Sequence, residues 1–198
     1  PGCSAWMAPD ELALWQALEA EEGGHVPVPF YAVAWPGARA VASLLVGGRM
    51  EVRGARVLDI GCGSGLAAVA AVRAGARMAT GADLDARALM ATADCARRHA
   101  VAVETHLGNP LEDGGACVAR HDVILGADLF YRQETAERGK QAVARWLERG
   151  ARVVLADAGR PFFDPCGLME LHAVELEVPR GVEGRSTRVV RVYGQREG

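Results

Sequence analysis

Three glycines recur at alternate positions in Val57-Leu58-Asp59-Ile60-Gly61-Cys62-Gly63-Ser64-Gly65, directly after a short apolar run. Glycine at Gly61, Gly63 and Gly65 lets the backbone turn sharply and approach a ligand without interference from Cβ atoms, as in loops that bind the nucleoside end of a cofactor. Asp83, in Gly81-Ala82-Asp83-Leu84-Asp85, follows the loop by about 20 residues, the spacing of an acid that accepts hydrogen bonds from both ribose hydroxyls. Asp85 has two readings, the N-cap of the next helix or a border of the adenine. Asp59 either attracts a cofactor's ammonium group, directly or through water, or steadies the loop amides. Asn109, in Gly108-Asn109-Pro110, either hydrogen-bonds an adenine edge or makes a plain Asn-Pro turn. A nicotinamide dinucleotide loop would read G-x-G-x-x-G/A. Counted from Gly61 the third place is bulky Leu66; counted from Gly63, the set Gly63, Gly65 and Ala68 fits but starts late relative to the strand end. The register weighs against a dehydrogenase without removing it.

These residues need a scaffold of strands and helices, and the chain supplies an alternation of them. Short β-branched runs at residues 56–60, 77–82, 101–107, 122–127 and 152–156 alternate with helical runs at 66–74, 86–99 and 134–148. Such alternation predicts right-handed βαβ units and a parallel sheet, with the strands after the first pair buried. A short helix near residues 168–172 then precedes strands at 174–178 and 187–193, joined by a turn over 179–184. The predicted fold is α/β, a doubly wound, mostly parallel seven-stranded sheet with a C-terminal antiparallel hairpin. That is the Rossmann-like methyltransferase arrangement and not the six-stranded dehydrogenase one. Before it, residues 9–20 read as an amphipathic helix capped by Asp10, with Leu12, Trp15 and Leu18 on one face. Residues 27–37 read as an extended, proline-punctuated aromatic stretch, and Pro36 fits the first turn of a helix over 36–46. The chain reads as one domain, with residues 1–50 lying over the site and 51–198 forming the core.

Bulk properties exclude several classes. Lys+Arg number 22 against 25 Asp+Glu, a net charge of −3, so no global field draws the chain to nucleic acid or to a membrane. Arg180, Arg185, Arg188 and Arg191 give the terminal hairpin a basic character on which an acidic protein could dock. The five cysteines form no C-x-x-C pair, and the histidines show no ligand spacing, so neither disulfides nor a metal site is indicated. No apolar run reaches the length of a membrane span, and the first residues lack the pattern of a secretory signal. A cytoplasmic location is expected. Lys140 is the only lysine, which with abundant Ala, Gly and Arg points to a GC-rich, bacterial coding sequence. Because the chain starts at Pro1 and not Met, its native start is open.

With these residues in hand, the chain resembles class I S-adenosyl-L-methionine-dependent methyltransferases and, more narrowly, the electron-transfer-flavoprotein β-subunit lysine methyltransferases. The narrow match rests on Pro29-Phe30-Tyr31-Ala32-Val33-Ala34-Trp35-Pro36-Gly37, on Gly126-Ala127-Asp128-Leu129-Phe130-Tyr131 and on Asp157-Ala158-Gly159-Arg160-Pro161. Family members carry D-P-G-R-P at the last of these, where Ala158 stands here. The resemblance implies that Trp35 packs near the cofactor and that Asp128 and Tyr131 border the opening for the substrate amine. It also implies a protein substrate, such as the flavoprotein β subunit. In that role Asp128 would orient the amine and stabilise the methylated product, and Tyr131 would form a hydrogen-bonding or cation-π wall. Asp128 has a second reading, as a turn or cap residue, Trp35 as plain core, and Asp157 with Arg160 as an internal salt bridge. Other functions remain open at this point: a small-molecule N- or O-methyltransferase, a nicotinamide oxidoreductase, and a cofactor-binding module without catalysis.

Overall fold

The computed structural model describes residues 2–112, 117–178, 184 and 186–195. Seven strands form one sheet in the order β3-β2-β1-β4-β5-β7-β6. They are β1 (Arg56–Ile60), β2 (Met78–Asp83), β3 (Glu104–Leu107), β4 (Val123–Ala127), β5 (Arg152–Asp157), β6 (Met169–Glu177) and β7 (Thr187–Gly194). The first five pair in parallel, whereas β7 runs antiparallel to both β5 and β6. The strand order reverses between β1 and β4. In open α/β sheets that reversal leaves a crevice beyond the carboxyl ends of the strands where ligands bind.

Alternation along the central strands sends their side chains to two separate cores. Val57, Leu125 and Val154 join Val41, Leu44 and Leu45 of α2 (Pro36–Val46) and the alanine-rich α3 (Leu66–Arg73) on one face. The small side chains of α3 let that helix lie close to the sheet, directly behind the glycine loop. Leu58, Ile124, Val153 and Leu155 point the other way and meet Val143 and Trp146 of α5 (Gln133–Glu148). Full burial of each such side chain contributes roughly 1.5–3 kcal/mol. The helix α4 (Ala86–Arg98) follows β2 and packs on α3 through Cys95 and Ala96, which touch Val69.

The amino-terminal helix α1 (Glu11–Glu22) begins where Asp10 Oδ1 accepts from the Ala13 N–H at 2.9 Å and stops at left-handed Gly23. Its apolar stripe buries no residue, and the helix is tied down by polar contacts instead. The Trp15 indole donates to Val26 O, and Glu22 pairs with Arg87 of α4. The stretch predicted as extended contains a single 3-10 turn at Phe30–Ala32, closed by Ala32 N–H on Pro29 O.

Other expectations change as well. The short helix predicted near residues 168–172 does not form, because β6 already begins at Met169 and pairs with β7 as far as Gly194. A bulge between Glu170 and His172 absorbs the irregular register. Long-range pairing overrides the local helical preference of Leu168-Met169-Glu170-Leu171. The third strand is shorter than predicted and exposed, not buried, since it is an edge strand with one neighbour. Most of the predicted turn over 179–184, together with Arg180 and Arg185, lies outside the described residues.

Candidate active site

The loop after β1 holds Gly61, Gly63 and Gly65 at φ of 62°, 49° and 75°, all in the left-handed region that side chains disfavour. At Gly65 space is limiting too, since a Cβ would stand 2.6 Å from the Thr92 Cα. Gly63 is open, its nearest neighbour there being Tyr31 Cα at 3.7 Å.

Two carboxylates claim the loop's backbone donors. Asp83 Oδ2 accepts from the Gly63 N–H at 3.0 Å, while its Oδ1 accepts from the Asp85 N–H at 3.1 Å. Asp59 Oδ2 accepts from the Ala68 N–H in the first turn of α3 at 3.1 Å. Asp59 is buried, and burial pushes its carboxyl up to about 7, with the charge of Asp83 acting in the same direction and the Ala68 hydrogen bond against it. Burial also raises Asp83. A pyrophosphate bound here would need free amides at the loop and the helix start, and would face two acids. A ribose diol and an ammonium group suit the same atoms. That arrangement weighs against a pyrophosphate at the loop, and the cradle fits an aminoacyl nucleoside such as S-adenosylmethionine.

Asp85 caps α4, its Oδ1 accepting from the Arg87 N–H at 2.8 Å. Asn109 Oδ1 accepts from the Leu111 N–H at 3.1 Å, so the residue makes its Asn-Pro turn near the end of β3. Thus Asp59, Asp83 and the three glycines gather at the carboxyl ends of β1 and β2, with Asn109 beyond the neighbouring strand.

A second cluster stands at the ends of β4 and β5. Asp128 has φ 52° and is buried. Its Oδ2 accepts from the Gly37 N–H at 2.6 Å, at the start of α2, and its Oδ1 accepts from Arg160 Nε at 3.0 Å and the Ala158 N–H at 3.3 Å. Burial raises the Asp128 carboxyl, while the Arg160 charge pulls it back down. The expected Asp157–Arg160 bridge is not the pairing seen. Asp157 Oδ1 takes the backbone N–H groups of Gly159 and Arg160, and the Arg160 side chain goes to Asp128. Asp128 is consequently a tie between α2, the β5 loop and Arg160, which narrows its scope for gripping a substrate directly.

An aromatic mouth stands beside this tie. Trp35 donates its indole N–H to Phe30 O at 2.9 Å, and the Arg160 guanidinium lies 5.2 Å from the centre of its ring. Phe30 packs on both Trp35 and Tyr131, with centroids 5.9 and 5.4 Å away, and Tyr131 is 44% exposed. The turn at Phe30–Ala32 joins the two clusters, because Tyr31 lies over Gly63 while Phe30 touches Tyr131. Leu129 bridges them from below, as a Cβ on Gly61 would meet its Cδ2 at 2.7 Å. Sequence reasoning gave no individual role to Phe30, Tyr31 or Gly37. Their signal was the aromatic stretch itself, but which side chain faced which cluster depended on the turn. A cleft of about 480 Å³ opens on the α4 side of the glycine loop, lined by Trp6, Tyr31, Ser64, Arg87 and Met90 among others, and includes neither Asp83 nor Asp128.

The sequence model of the family "ribosomal protein L11 methyltransferase (PrmA)" matches residues 42–129. A solved RNA methyltransferase from Salinibacter ruber, in complex with S-adenosyl-L-homocysteine, superposes with a TM-score of 0.56 at 20% identity, covering 84% of this chain and 95% of that one. The chain is a class I methyltransferase in fold. Among curated methyltransferases, the electron transfer flavoprotein beta subunit lysine methyltransferase of Mus musculus is 33% identical over 169 residues, 82% of this chain and 59% of its own length. The ribosomal protein L11 methyltransferase of Stenotrophomonas maltophilia (strain R551-3) is 34% identical over 168 residues, 78% of this chain and 51% of its own. The chain thus spans little more than half the length of the curated relatives it matches. Among the described residues of this methyltransferase fold, no group of side chains could hold a metal ion and no helix is long and apolar enough to cross a membrane.

Proposed function

We propose that this protein transfers a methyl group from S-adenosyl-L-methionine to a lysine side chain of a protein, with the electron-transfer flavoprotein β subunit as the first candidate. The reading is carried by the two adjoining clusters, an acidic cradle for a nucleoside and an ammonium group next to an aromatic mouth over Asp128 and Arg160. The likeness to flavoprotein lysine methyltransferases supports the acceptor class. A net charge of −3 gives no general attraction for RNA.

The bound cofactor supplies an activated methyl group on a sulfonium. The chain's own residues then have to hold, align and dehydrate. Asp83 takes the ribose hydroxyls and Asp59 the ammonium group, while Gly61 and Gly63 keep the backbone flat against the ligand. Tyr31 closes the loop from above. Asp128 fixes the start of α2 and the loop after β5, and so sets the spacing between cradle and mouth. Tyr131 and Phe30 wall the acceptor channel, where an aromatic face attracts the cationic product. A lysine with a solution pKa of about 10.4 is neutral in roughly one molecule in 2,500 at pH 7, so the proton must leave before the nitrogen can attack. The exposed edge of Tyr131 leaves water a path to carry it away.

The test incubates the protein with methyl-labelled cofactor and, in parallel, purified flavoprotein β subunit, ribosomal protein L11 and the small-molecule fraction of a lysate. Label on a lysine of the β subunit is expected. Label on L11 alone moves the acceptor to the ribosome, in line with the second likeness. Label confined to small molecules overturns the protein reading.

A further inference from the structure

Asp157 is a buried acid for which neither the cradle nor the mouth accounts. It ends β5 at 3% exposure, and Ala127 pairs with Ala156, so Asp128 and Asp157 follow side by side at the carboxyl edge of the sheet. The two oxygens of Asp157 differ. Oδ1 accepts from the Gly159 N–H at 2.6 Å and the Arg160 N–H at 2.7 Å, whereas Oδ2 is buried and accepts no hydrogen bond. Leaving a buried acceptor unsatisfied is costly, and such an atom calls for a donor that the side chains around it do not supply.

Charge counting points the same way. Two carboxylates stand together here, and the Arg160 guanidinium engages Asp128. The groups that set the electrostatics of Asp157 are Asp128 just after β4 and Arg160 in its own loop, and Asp157 in turn acts on Tyr193 of β7. Burial first, and then Asp128, push Asp157 up to about 6, so its negative charge is poorly compensated in the free protein. A cation or N–H donor completes the set. A metal would require further ligands, whereas a primary amine offers an N–H to one oxygen and its lone pair elsewhere.

We propose that Asp157 Oδ2 receives an N–H of the substrate amine, making Asp157 the acceptor-binding carboxylate and leaving Asp128 as the residue that positions its loop. The proposal rests on the reading that the acceptor is an amine. In the transfer, a bond forms from amine nitrogen to methyl carbon as the sulfur–carbon bond breaks, and the surplus proton passes to water. Asp157 keeps its negative charge throughout and faces the positive nitrogen of the product.

The test uses the full chain loaded with S-adenosylhomocysteine and n-butylamine as the probe. Asp157→Asn preserves shape, so affinity for S-adenosylhomocysteine should stay within about twofold by calorimetry. Amine affinity should fall about 10- to 100-fold, the range for one hydrogen bond to a charged group. A purely structural role would not move a second readout, the carboxyl carbon resonance of Asp157, assigned by its loss in the variant. Its titration midpoint should drop by a unit or more when amine is added. Equal amine binding by wild type and variant, no amine binding at all, or an unmoved resonance each overturns the assignment. If the wild type labels no protein lysine while amine still couples to Asp157, the protein-substrate reading fails and this one stands.

Discussion

On the proposed cofactor placement Asp59 couples cofactor binding to pH, and the size of the effect follows from its burial. In the free protein the carboxyl lies at about 7 instead of near 3.8, chiefly because burial penalises its charged form. A raised carboxylate stabilises the fold most at low pH, below the unfolded pKa. That contribution disappears as pH climbs through about 7, with a full span on the order of 4 kcal/mol. A bound ammonium group reverses the preference by favouring the ionised acid. Binding S-adenosylhomocysteine, which avoids turnover, should then release about 0.9 proton at pH 6, where roughly nine in ten Asp59 groups are protonated. Affinity should weaken about tenfold per pH unit on descending from 7 to 5. Calorimetry in buffers of different ionisation enthalpy reads both quantities. Asp83 is also raised and adds to the acid limb, so the decisive comparison is Asp59→Asn, which should flatten the slope by about one unit. A slope unchanged in that variant, or proton release near zero at pH 6 in the wild type, would refute the reasoning.

Removing the proposed ribose acceptor by Asp83→Ala should weaken S-adenosylhomocysteine binding by about 10- to 100-fold in the same calorimetric assay, since hydrogen bonds to a charged group are lost. Gly65→Ala puts a side chain at φ 75° and 2.6 Å from Thr92 Cα, and should cost about 2–5 kcal/mol of stability in urea unfolding. Asp128→Asn removes the carboxylate that the Arg160 Nε engages, on a side chain that is only 16% exposed. It should lower the stability by about 2–4 kcal/mol and turnover far more than cofactor affinity, measured by thermal melting and labelling. Tyr131→Ala, at an exposed position, should leave the melting temperature unchanged and raise the acceptor KM by about 2- to 30-fold, the scale of one cation-π contact.

The sheet was legible in the sequence because its central strands are apolar on both faces and its punctuation is explicit. Gly61, Gly63 and Gly65 mark one strand end, Asp85 caps the next helix, and Pro36 opens α2. Local signals failed where distant partners decide the outcome. Residues 168–172 look helical until β7 recruits them, and the apolar stripe of α1 looks like a core face although none of its residues is buried. The grouping of Asp59, Asp83 and the three glycines was readable since they lie on consecutive βα turns. The pairing at the ends of β4 and β5 was not, because the Arg160 Nε meets Asp128 and not its own neighbour Asp157. That choice depends on a left-handed backbone at Asp128 and on where the start of α2 falls, neither of which is written in spacing.

The bond from the Gly37 N–H to Asp128 has a consequence for how such chains can diverge. A Cβ at position 37 would stand 2.6 Å from Asp128 Oδ2 and 3.1 Å from the Ala156 carbonyl. No side chain fits there while the acid remains, and losing the acid removes the carboxylate that the Arg160 Nε meets at 3.0 Å. Positions 37 and 128 are therefore locked in epistasis across 91 residues of chain. A lineage that gained a side chain at position 37 would first have had to give up the acid, and with it the tie between the start of α2 and the loop after β5.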